Sequence, residues 1–366
     1  MNMKLINITF FTIIIGVFNC CNNDKDGYYF NGDIRYFGDN TKVVNVTSKS
    51  VQLDGVYTGQ IAAYDSLLIF WYPVSQGNFF TVFNVDTGKE IGSFCEKGRG
   101  PKESISVNCI FQIFKQENDI MTLLYASNEG KLFFWNISQS VEKGRTVYDT
   151  IVPYNNNRIF SQYYQSEDIL FANKPSDYLN KEEVSTPFYE KRTIYTNELI
   201  RKYPIYKKAS VRNSNTTDQL RFFFYSWDVI KPDGSKIAQA MWHLPQINIL
   251  DTHTGDIVGY RMKDSPNFSL LETAQKSMTV YYNTLHADNN HIYATYWGKD
   301  MWNDRMLPFI NTIHVFDWNG NLLYELLTDR PFFRSIWLDQ VRKRLYTIDV
   351  NTDEVYYLDF DELKLQ

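Results

Sequence analysis

The sequence is short of the residues on which many common active sites are built. Its 366 residues include only four cysteines and five histidines. Cys95 and Cys109 are well separated, so they form no disulfide framework; we expect two buried free thiols, with a disulfide as the alternative. A Ser-His-Asp arrangement has few ways to form. There is no Gly-x-Ser-x-Gly element, and Gly98-Arg99-Gly100-Pro101 lacks the Lys-Ser/Thr of a phosphate-binding loop.

Basic clusters are also missing from the chain. Lys and Arg total 37 against 42 Asp and Glu, which gives a net charge of -5 with no basic run. Because phosphate contacts require clustered Lys and Arg, the composition argues against nucleic acid as a partner. The mild negative charge otherwise favours solubility, and we expect a monomer.

Aromatic residues are abundant, with 26 Tyr and 26 Phe. This content favours strands over helices and supplies a large core. No substantial helix is predicted, apart from a single turn over residues 272–277. The fold class is therefore expected to be all-β.

The first 21 residues, MNMKLINITFFTIIIGVFNCC, have the layout of an export signal. Lys4 supplies a positive charge, and the apolar run that follows is shorter than the roughly 20 residues that span a membrane. The cysteines at its end resemble a bacterial lipoprotein signal, in which cysteine becomes the lipidated first residue. An ordinary signal peptide is the alternative. We expect a signal peptide over residues 1–20, lipidation at Cys20 or Cys21, and a polar tether over residues 21–41.

One pattern recurs along the chain: a polar bend, an apolar run, a loop, an alternating apolar run and an Asp or Asn turn. The first copy reads YDSLLIFWYP and then FFTVFNVDTG. Each copy contains two hairpin signals, which predict a four-stranded antiparallel sheet. Six such sheets predict a six-bladed β-propeller; a large sandwich would not repeat the motif order. The turns fall at Asp86, Asn136, Asn197, Asp251, Asp317 and Asp359.

The last copy lacks an outer strand, and the extra β-like run KVVNVTSKSVQLD at residues 42–54 precedes the first copy. An N-terminal strand that completes the last blade would close the ring and remove a loose edge. Residues 42–366 are therefore predicted to form a single propeller domain.

At this point the chain resembles the six-bladed, TolB-like β-propeller lipoproteins of Bacteroidetes. The resemblance rests on the cysteine-ended signal, on VDTGKEIGSFCEKGRGPKE and on SIWLDQVRKRLYTIDVNTDEVYYLDF. Relatives tend to have a Gly-x-Gly-Pro-Gly-Glu-like element in the second segment, where this chain has Lys102 in place of the last Gly. The resemblance implies the propeller fold and an outer-membrane lipoprotein that faces the periplasm or the surface. It implies little about function.

Strand parity indicates where a binding site would lie. If the strands of a blade are lettered a to d from the axis outward, the a–b and c–d turns lie on one face and are tight. The longer b–c and d–a loops share the other face, where binding residues usually sit. The candidate binding residues are Arg99, Trp242, His243, Trp297, Lys299, Asp300, Trp302 and Arg305.

Aromatic rings beside charged groups suit sugars, peptides or aromatic ligands. The alternative is that Trp297 and Trp302 cap a blade and that His243 packs beside Trp242. A metal site at His286–His291 is not favoured, because a hairpin bend explains its Asp and Asn residues.

These observations predict a lipid-anchored binding protein outside the cytoplasm, without a cofactor or metal and not an enzyme. Its loop face and axial funnel would hold a peptide, a glycan or a partner protein. The alternative is a metal-dependent lactonase or esterase, with a divalent ion such as Ca²⁺ in the axial channel held by single residues from several blades.

Overall fold

Alternating apolar and polar residues fold most of the described chain into short strands. The computed structural model describes residues 29–38, 41–55, 57, 59–74, 77–154, 159–166, 169–174, 187–207, 224–263, 265, 279–300 and 310–363. Three strands precede the repeats: β1 (Asp33–Phe37), β2 (Lys42–Val46) and β3 (Lys49–Ser50).

Each repeat then supplies the strands of one blade. Blades 1 to 3 contain β4 (Gln60–Tyr64), β5 (Leu67–Trp71), β6 (Asn78–Asn84), β7 (Glu90–Glu96), β8 (Ile113–Gln116), β9 (Asp119–Ala126), β10 (Lys131–Asn136), β11 (Tyr148–Pro153), β12 (Gln162–Ser166), β13 (Ile169–Lys174), β14 (Phe188–Thr193) and β15 (Leu199–Pro204). Blades 4 to 6 contain β16 (Ser226–Ile230), β17 (Lys236–Met241), β18 (Gln246–Asp251), β19 (Ile257–Met262), β20 (Thr279–Ala287), β21 (His291–Asp300), β22 (Ile310–Asp317), β23 (Leu322–Asp339), β24 (Arg344–Asp349) and β25 (Val355–Asp359).

The long strand β23 belongs to two blades. Its first part pairs with β22, as in Ile313 with Leu326, and its last part pairs with β24, as in Trp337 with Tyr346. The eight-stranded sheet β20–β25–β3 is therefore two four-stranded blades in series. Counted in this way, the described strands form six four-stranded antiparallel blades, which confirms the predicted propeller.

The predicted closure of the ring by an N-terminal strand is also confirmed. Strand β3 pairs antiparallel with β25, with Ser50 opposite Tyr356, and becomes the outer strand of blade 6. Closure uses only the end of the predicted 42–54 run, because β2 instead pairs parallel with β23 on the outer edge of blade 5.

The polar tether predicted over residues 21–41 cannot extend to residue 41. Strand β1 pairs parallel with β19 as a fifth strand of blade 4. Just before it, Tyr29 and Phe30 are each 1% exposed. Polar neighbours surround these two aromatic residues in the sequence, and burial of the Tyr29 and Phe30 rings holds the segment on the propeller. Residues 21–28 lie outside the described residues.

The expectation that every c–d turn is tight and that no helix is needed was wrong for blade 2. There, helix α1 (Ile137–Lys143) connects β10 to β11. Asn136 caps it by accepting a hydrogen bond from the Gln139 amide, and Gly144 ends it with a φ of 61°. A four-residue helix α2 (Phe360–Leu363) follows β25. None of the described helices is long and apolar enough to cross a membrane. The single turn predicted over residues 272–277 lies outside the described residues.

The turn predicted at Asp359 is wrong, because helix α2 follows β25 and the outer strand of blade 6 is β3. The c–d turns of blades 1, 4 and 5 follow the predicted turn chemistry. Gly88, Gly255 and Gly320 have φ values of 71°, 83° and 81°, a conformation that glycine adopts without steric cost. Asp251 accepts hydrogen bonds from the amides of residues 253 and 254, as an Asx turn requires. The a–b and c–d turns therefore form one face, called the turn face here, and the b–c and d–a connections form the loop face.

Candidate functional site

Trp242 and His243 lie in the b–c connection of blade 4, and the structure places both in packing contacts. Their rings stack with centroids 5.4 Å apart. His243 is 6% exposed, and its Nδ1 lies 3.0 Å from the Thr279 carbonyl oxygen. Burial lowers the pKa of His243, so the ring stays neutral at physiological pH. The Trp242 carbonyl accepts the Tyr281 amide, which ties this connection to blade 5.

Trp297 is also a packing residue. It is 9% exposed and belongs to the apolar cluster of blades 5 and 6 that contains Val280 and Ile310. Trp242 packs against the same cluster, so both tryptophans contribute to the apolar packing between blades. Lys299 is exposed at the end of β21. Strand β21 ends at Asp300, whose side chain lies outside the described residues, as do Trp302 and Arg305.

Arg99 lies in the d–a connection from blade 1 to blade 2, whereas Trp242 and Trp297 belong to blades 4 and 5. The Arg99 side chain is exposed. Its loop is closed by Glu103, whose carboxylate accepts the Gly100 amide at 2.9 Å. A Cβ at Gly98 would lie 1.8 Å from a Glu103 carboxylate oxygen. The Glu103 side chain therefore folds back over Gly98 and Gly100, and a side chain at either position would have to displace it.

A channel follows the propeller axis and contains two cavities. The innermost strands of all six blades, which are β4, β8, β12, β16, β20 and the end of β23, line the first cavity, and β4, β16, β20, β23 and residues 109–111 line the second. The cavity of about 300 Å³ opens toward the turn face and is lined by Tyr64, Lys115 and Gln340 among others. The cavity of about 250 Å³ lies toward the loop face. We call them the turn-face cavity and the loop-face cavity.

Four residues line both cavities and mark their junction: Phe111, Val229, His286 and Trp337. The His286 and Trp337 rings pack with centroids 4.5 Å apart. Burial lowers the pKa of His286 to about 3, so its imidazole is neutral at physiological pH. Residues 286–291 were predicted to form a hairpin bend, and the Asp288 carboxylate does accept the amides of residues 290 and 291 there. The orientation of His286 toward the axis, two residues before Asp288, was not predicted.

Asp228 is the carboxylate of the loop-face cavity wall, and it is 7% exposed. Four side chains of blade 3 donate hydrogen bonds to its oxygens at 2.7 to 2.9 Å: Ser161, Tyr163, Asn173 and Tyr189. Burial raises the pKa of Asp228, while these hydrogen bonds oppose that shift. The carboxylate therefore joins blades 3 and 4 and already has its acceptor sites occupied.

Cys95 and Cys109 are free and buried. This outcome confirms the expectation of two free thiols. Cys109 lines the loop-face cavity, and burial raises the pKa of its thiol to about 12. A thiol in this state is a weak nucleophile, because the thiolate is the reactive form.

No group of three or more His, Cys, Asp or Glu residues with metal-binding geometry occurs among the described residues. In the loop-face cavity the acidic lining residue is Asp228, which four donors already hold. The described donor set therefore does not resemble a Ca²⁺ site, which needs six to eight oxygen ligands.

The comparisons with known proteins agree with the architecture. Residues 37–332 match the model of a family described as TolB-like 6-blade propeller-like. A structure of a DUF4221 family member from Bacteroides vulgatus is 10% identical, with a TM-score of 0.55, over 86% of this chain and 95% of that one.

Two further structures are weaker matches. A calcium-binding regucalcin from Agrobacterium tumefaciens is 10% identical over 87% of this chain and 95% of its own, with a TM-score of 0.46. Hydrazine synthase from Kuenenia stuttgartiensis is 11% identical over 82% of both chains, also at 0.46. No curated protein matches the chain. At 10% identity, the likeness to the Bacteroides vulgatus structure extends to the fold alone.

Proposed function

Because the chain belongs to the TolB-like six-bladed propeller family, we propose that it is a lipid-anchored binding protein of the cell envelope. It holds its ligand in the axial channel and at the loop face, and it is not an enzyme. The N-terminal signal ending at Cys20 and Cys21 supports the anchor. Arg99 and Lys299, which are exposed at the loop face, belong to the proposed site. Asp300, Trp302 and Arg305 stay candidate residues of the same site, and their side chains lie outside the described residues.

The observation that carries this proposal is the chemistry of the channel wall. In the loop-face cavity, aromatic rings and neutral hydrogen-bonding groups line the wall beside the Asp228 carboxylate, as is typical of small-molecule binding sites. Two titratable groups of this wall are poor catalysts: His286, with a pKa lowered to about 3, is a weak base, and Cys109 is protonated at physiological pH. Asp228 is held by four donors and has no free acceptor site with which to take a proton. Such a wall can recognise a ligand but offers no activated nucleophile.

The anchor is tested by fractionation of cells that express the full chain. Cys20→Ala combined with Cys21→Ala should move the protein from the membrane to the unbound fraction, and the single variants identify the lipidated residue. Cys95→Ala is the matched control, because this thiol is buried and should not affect localisation. A double variant that stays with the membrane contradicts the anchor.

The absence of catalysis is tested on purified protein. Esterase and lactonase substrates are offered with and without added Ca²⁺, and we expect no turnover in either case. Turnover that depends on stoichiometric Ca²⁺ would replace the binding function with hydrolysis.

A further inference from the structure

The loop-face cavity presents hydrogen-bonding groups that carry no charge. Thr284 and His286 of β20 line it, as do Ser335 and Trp337 of β23. The Ser335 hydroxyl accepts the Ile61 amide at 3.0 Å, which leaves its own O–H to donate. The cavity therefore offers hydroxyl and imidazole groups that can both donate to and accept from a ligand.

Aromatic rings supply the apolar part of the same wall. Phe111, Tyr225, Trp227 and Trp337 line the cavity. A ring with polar groups at its edge and an apolar face can pack against them, because aromatic faces provide large contact areas at little entropic cost. The volume of about 250 Å³ is close to the lower end of small-ligand sites, so one ring-sized group fits rather than a folded chain.

Charge complementarity in this cavity favours a neutral ligand. The carboxylate of Asp228 is fully hydrogen-bonded within the protein, so a cationic ligand would not gain a new partner from it. An anionic ligand would lie near that carboxylate, and among the described lining residues no cation offsets the repulsion. Burying a charge without a hydrogen-bonded partner costs several kcal/mol. This cost excludes an anionic ligand, and it disfavours a cationic ligand, which Asp228 attracts but does not hydrogen-bond, relative to a neutral one.

We infer that the loop-face cavity binds one uncharged sugar ring, with Thr284, His286 and Ser335 bonding its hydroxyls and the aromatic wall packing on its face. This inference rests on the proposed binding function and narrows its ligand to a neutral saccharide. A longer glycan would leave the channel at the loop face and contact the exposed residues there.

The test uses purified full-length protein and sugars that differ in a single group. Glucose is neutral, glucosamine carries a positive charge, and glucuronate carries a negative charge. Galactose, mannose and N-acetylglucosamine extend the neutral set. Binding is followed by saturation-transfer NMR and by tryptophan fluorescence, since Trp227 and Trp337 line the cavity. At least one neutral sugar should bind, and the charged relatives of that ring should bind at least about tenfold more weakly.

Two variants place the binding in the cavity. His286→Phe keeps a ring against Trp337 and removes both nitrogens, and Thr284→Val removes a hydroxyl at nearly constant shape. Each should weaken binding about tenfold, which corresponds to about 1.4 kcal/mol. His253→Phe makes the same change in an exposed c–d turn and should leave binding unchanged. If His286→Phe fails to fold, as judged by its melting curve, Thr284→Val still decides the outcome.

Three results would overturn the inference. The first is equal binding of charged and neutral sugars. The second is no binding of any neutral sugar at about 10 mM, a concentration well above millimolar dissociation constants. The third is binding that neither variant weakens. A capped neutral tripeptide serves as a separate probe. If it binds in a manner sensitive to Thr284→Val while the sugars do not, the channel remains a binding site and only the saccharide assignment fails.

Discussion

Asp228 shows how a single buried carboxylate can join two blades. It accepts hydrogen bonds from four side chains of blade 3 while it belongs to the first strand of blade 4. Asp228→Ala leaves several buried donors without an acceptor, and each such group costs about 1–3 kcal/mol. We expect a loss of about 3 kcal/mol or more in the free energy of unfolding, and a loss of about 2 kcal/mol for Tyr189→Phe, which removes one hydrogen bond to the carboxylate.

Urea denaturation of both variants checks this prediction. Asp233→Ala in the exposed bend of the same blade is the control and should cost about 1 kcal/mol or less, because its carboxylate is half-exposed. A loss for Asp228→Ala no larger than that of the control would show that the network does not hold the blades together.

His314 gives the fold a predictable sensitivity to acid. It is 2% exposed, its ring stacks on Tyr296 at 4.2 Å, and burial lowers its pKa to about 3. An unfolded histidine has a pKa near 6.5. As the pH falls below that value, His314 becomes protonated in the unfolded chain but stays neutral in the folded chain. Stability that is present above pH 6.5 is therefore lost toward pH 3, at up to about 1.4 kcal/mol per pH unit.

His314→Gln should reduce this loss of stability, because glutamine does not titrate. The measurement is the free energy of unfolding in urea at pH 7 and at pH 5, which separates the change in slope from the cost of the substitution at pH 7. His253→Gln changes an exposed histidine and should keep the wild-type slope. An unaltered slope in the His314 variant would contradict the assignment.

Two arginines join blade 6 to its neighbours, and their surroundings differ. Arg330 donates to Asp349 at 2.8 Å and to Ser50 of the closing strand β3 at 3.1 Å, and the Asp349 side chain is 6% exposed. Removal of the guanidinium leaves a buried carboxylate without its partner, which costs about 3–5 kcal/mol in typical buried pairs. We expect Arg330→Gln to lower the free energy of unfolding by about 3 kcal/mol.

Arg342→Gln is the matched control. Arg342 bridges Asp65 and Asp86, whose side chains are 53% and 56% exposed. Solvent screens such pairs, so this substitution should cost about 1 kcal/mol or less. Urea denaturation of both variants compares the two bridges directly. Equal losses in the free energy of unfolding would mean that burial of Asp349 does not strengthen the Arg330 bridge.

At the scale of elements, the sequence predicted those turns whose conformation depends only on neighbouring residues. Positive-φ glycines and Asx turns located the c–d turns at Gly88, Gly255 and Gly320. Helix α1 was missed because its Asn136 was interpreted as a turn residue, although Asn can equally cap a helix. A capping Asn followed eight residues later by Gly144 was the signal that could have identified it.

The channel required information that a single sequence does not hold. His286 and Trp337 are about 50 residues apart in the chain, and only closure of the ring brings their rings within 4.5 Å. Likewise, Trp297 stands in a sequence segment typical of a surface site, but it is buried in the apolar cluster that blades 5 and 6 share. Strand order could be derived from the repeats, whereas the side chains that meet at the axis depend on the register of six inner strands.

At the scale of the whole molecule, the N-terminal segment holds three blades in succession. Strand β1 extends blade 4, β2 extends blade 5, and β3 completes blade 6. These three pairings differ in their effect on the blades. The first two add an outer strand to a sheet that already has four, whereas the third supplies the only outer strand of its blade among the described residues. Loss of β1 should therefore lower the stability while the ring stays closed, whereas loss of the segment through β3 should open the ring.

Three truncated chains test this order. The reference begins at Tyr29. A chain that begins at Asp39 loses β1 and the buried Tyr29 and Phe30 rings, each worth about 1.5–3 kcal/mol, so its free energy of unfolding should fall by about 3 kcal/mol or more while unfolding remains cooperative. A chain that begins at Val51 also loses β2, the fifth strand of blade 5, and β3, so that it exposes the edge of β25 and opens the ring between blades 6 and 1. It should unfold without a single cooperative transition in urea. A cooperative transition in that chain, at the midpoint of the chain that begins at Asp39, would mean that β3 does not close the propeller.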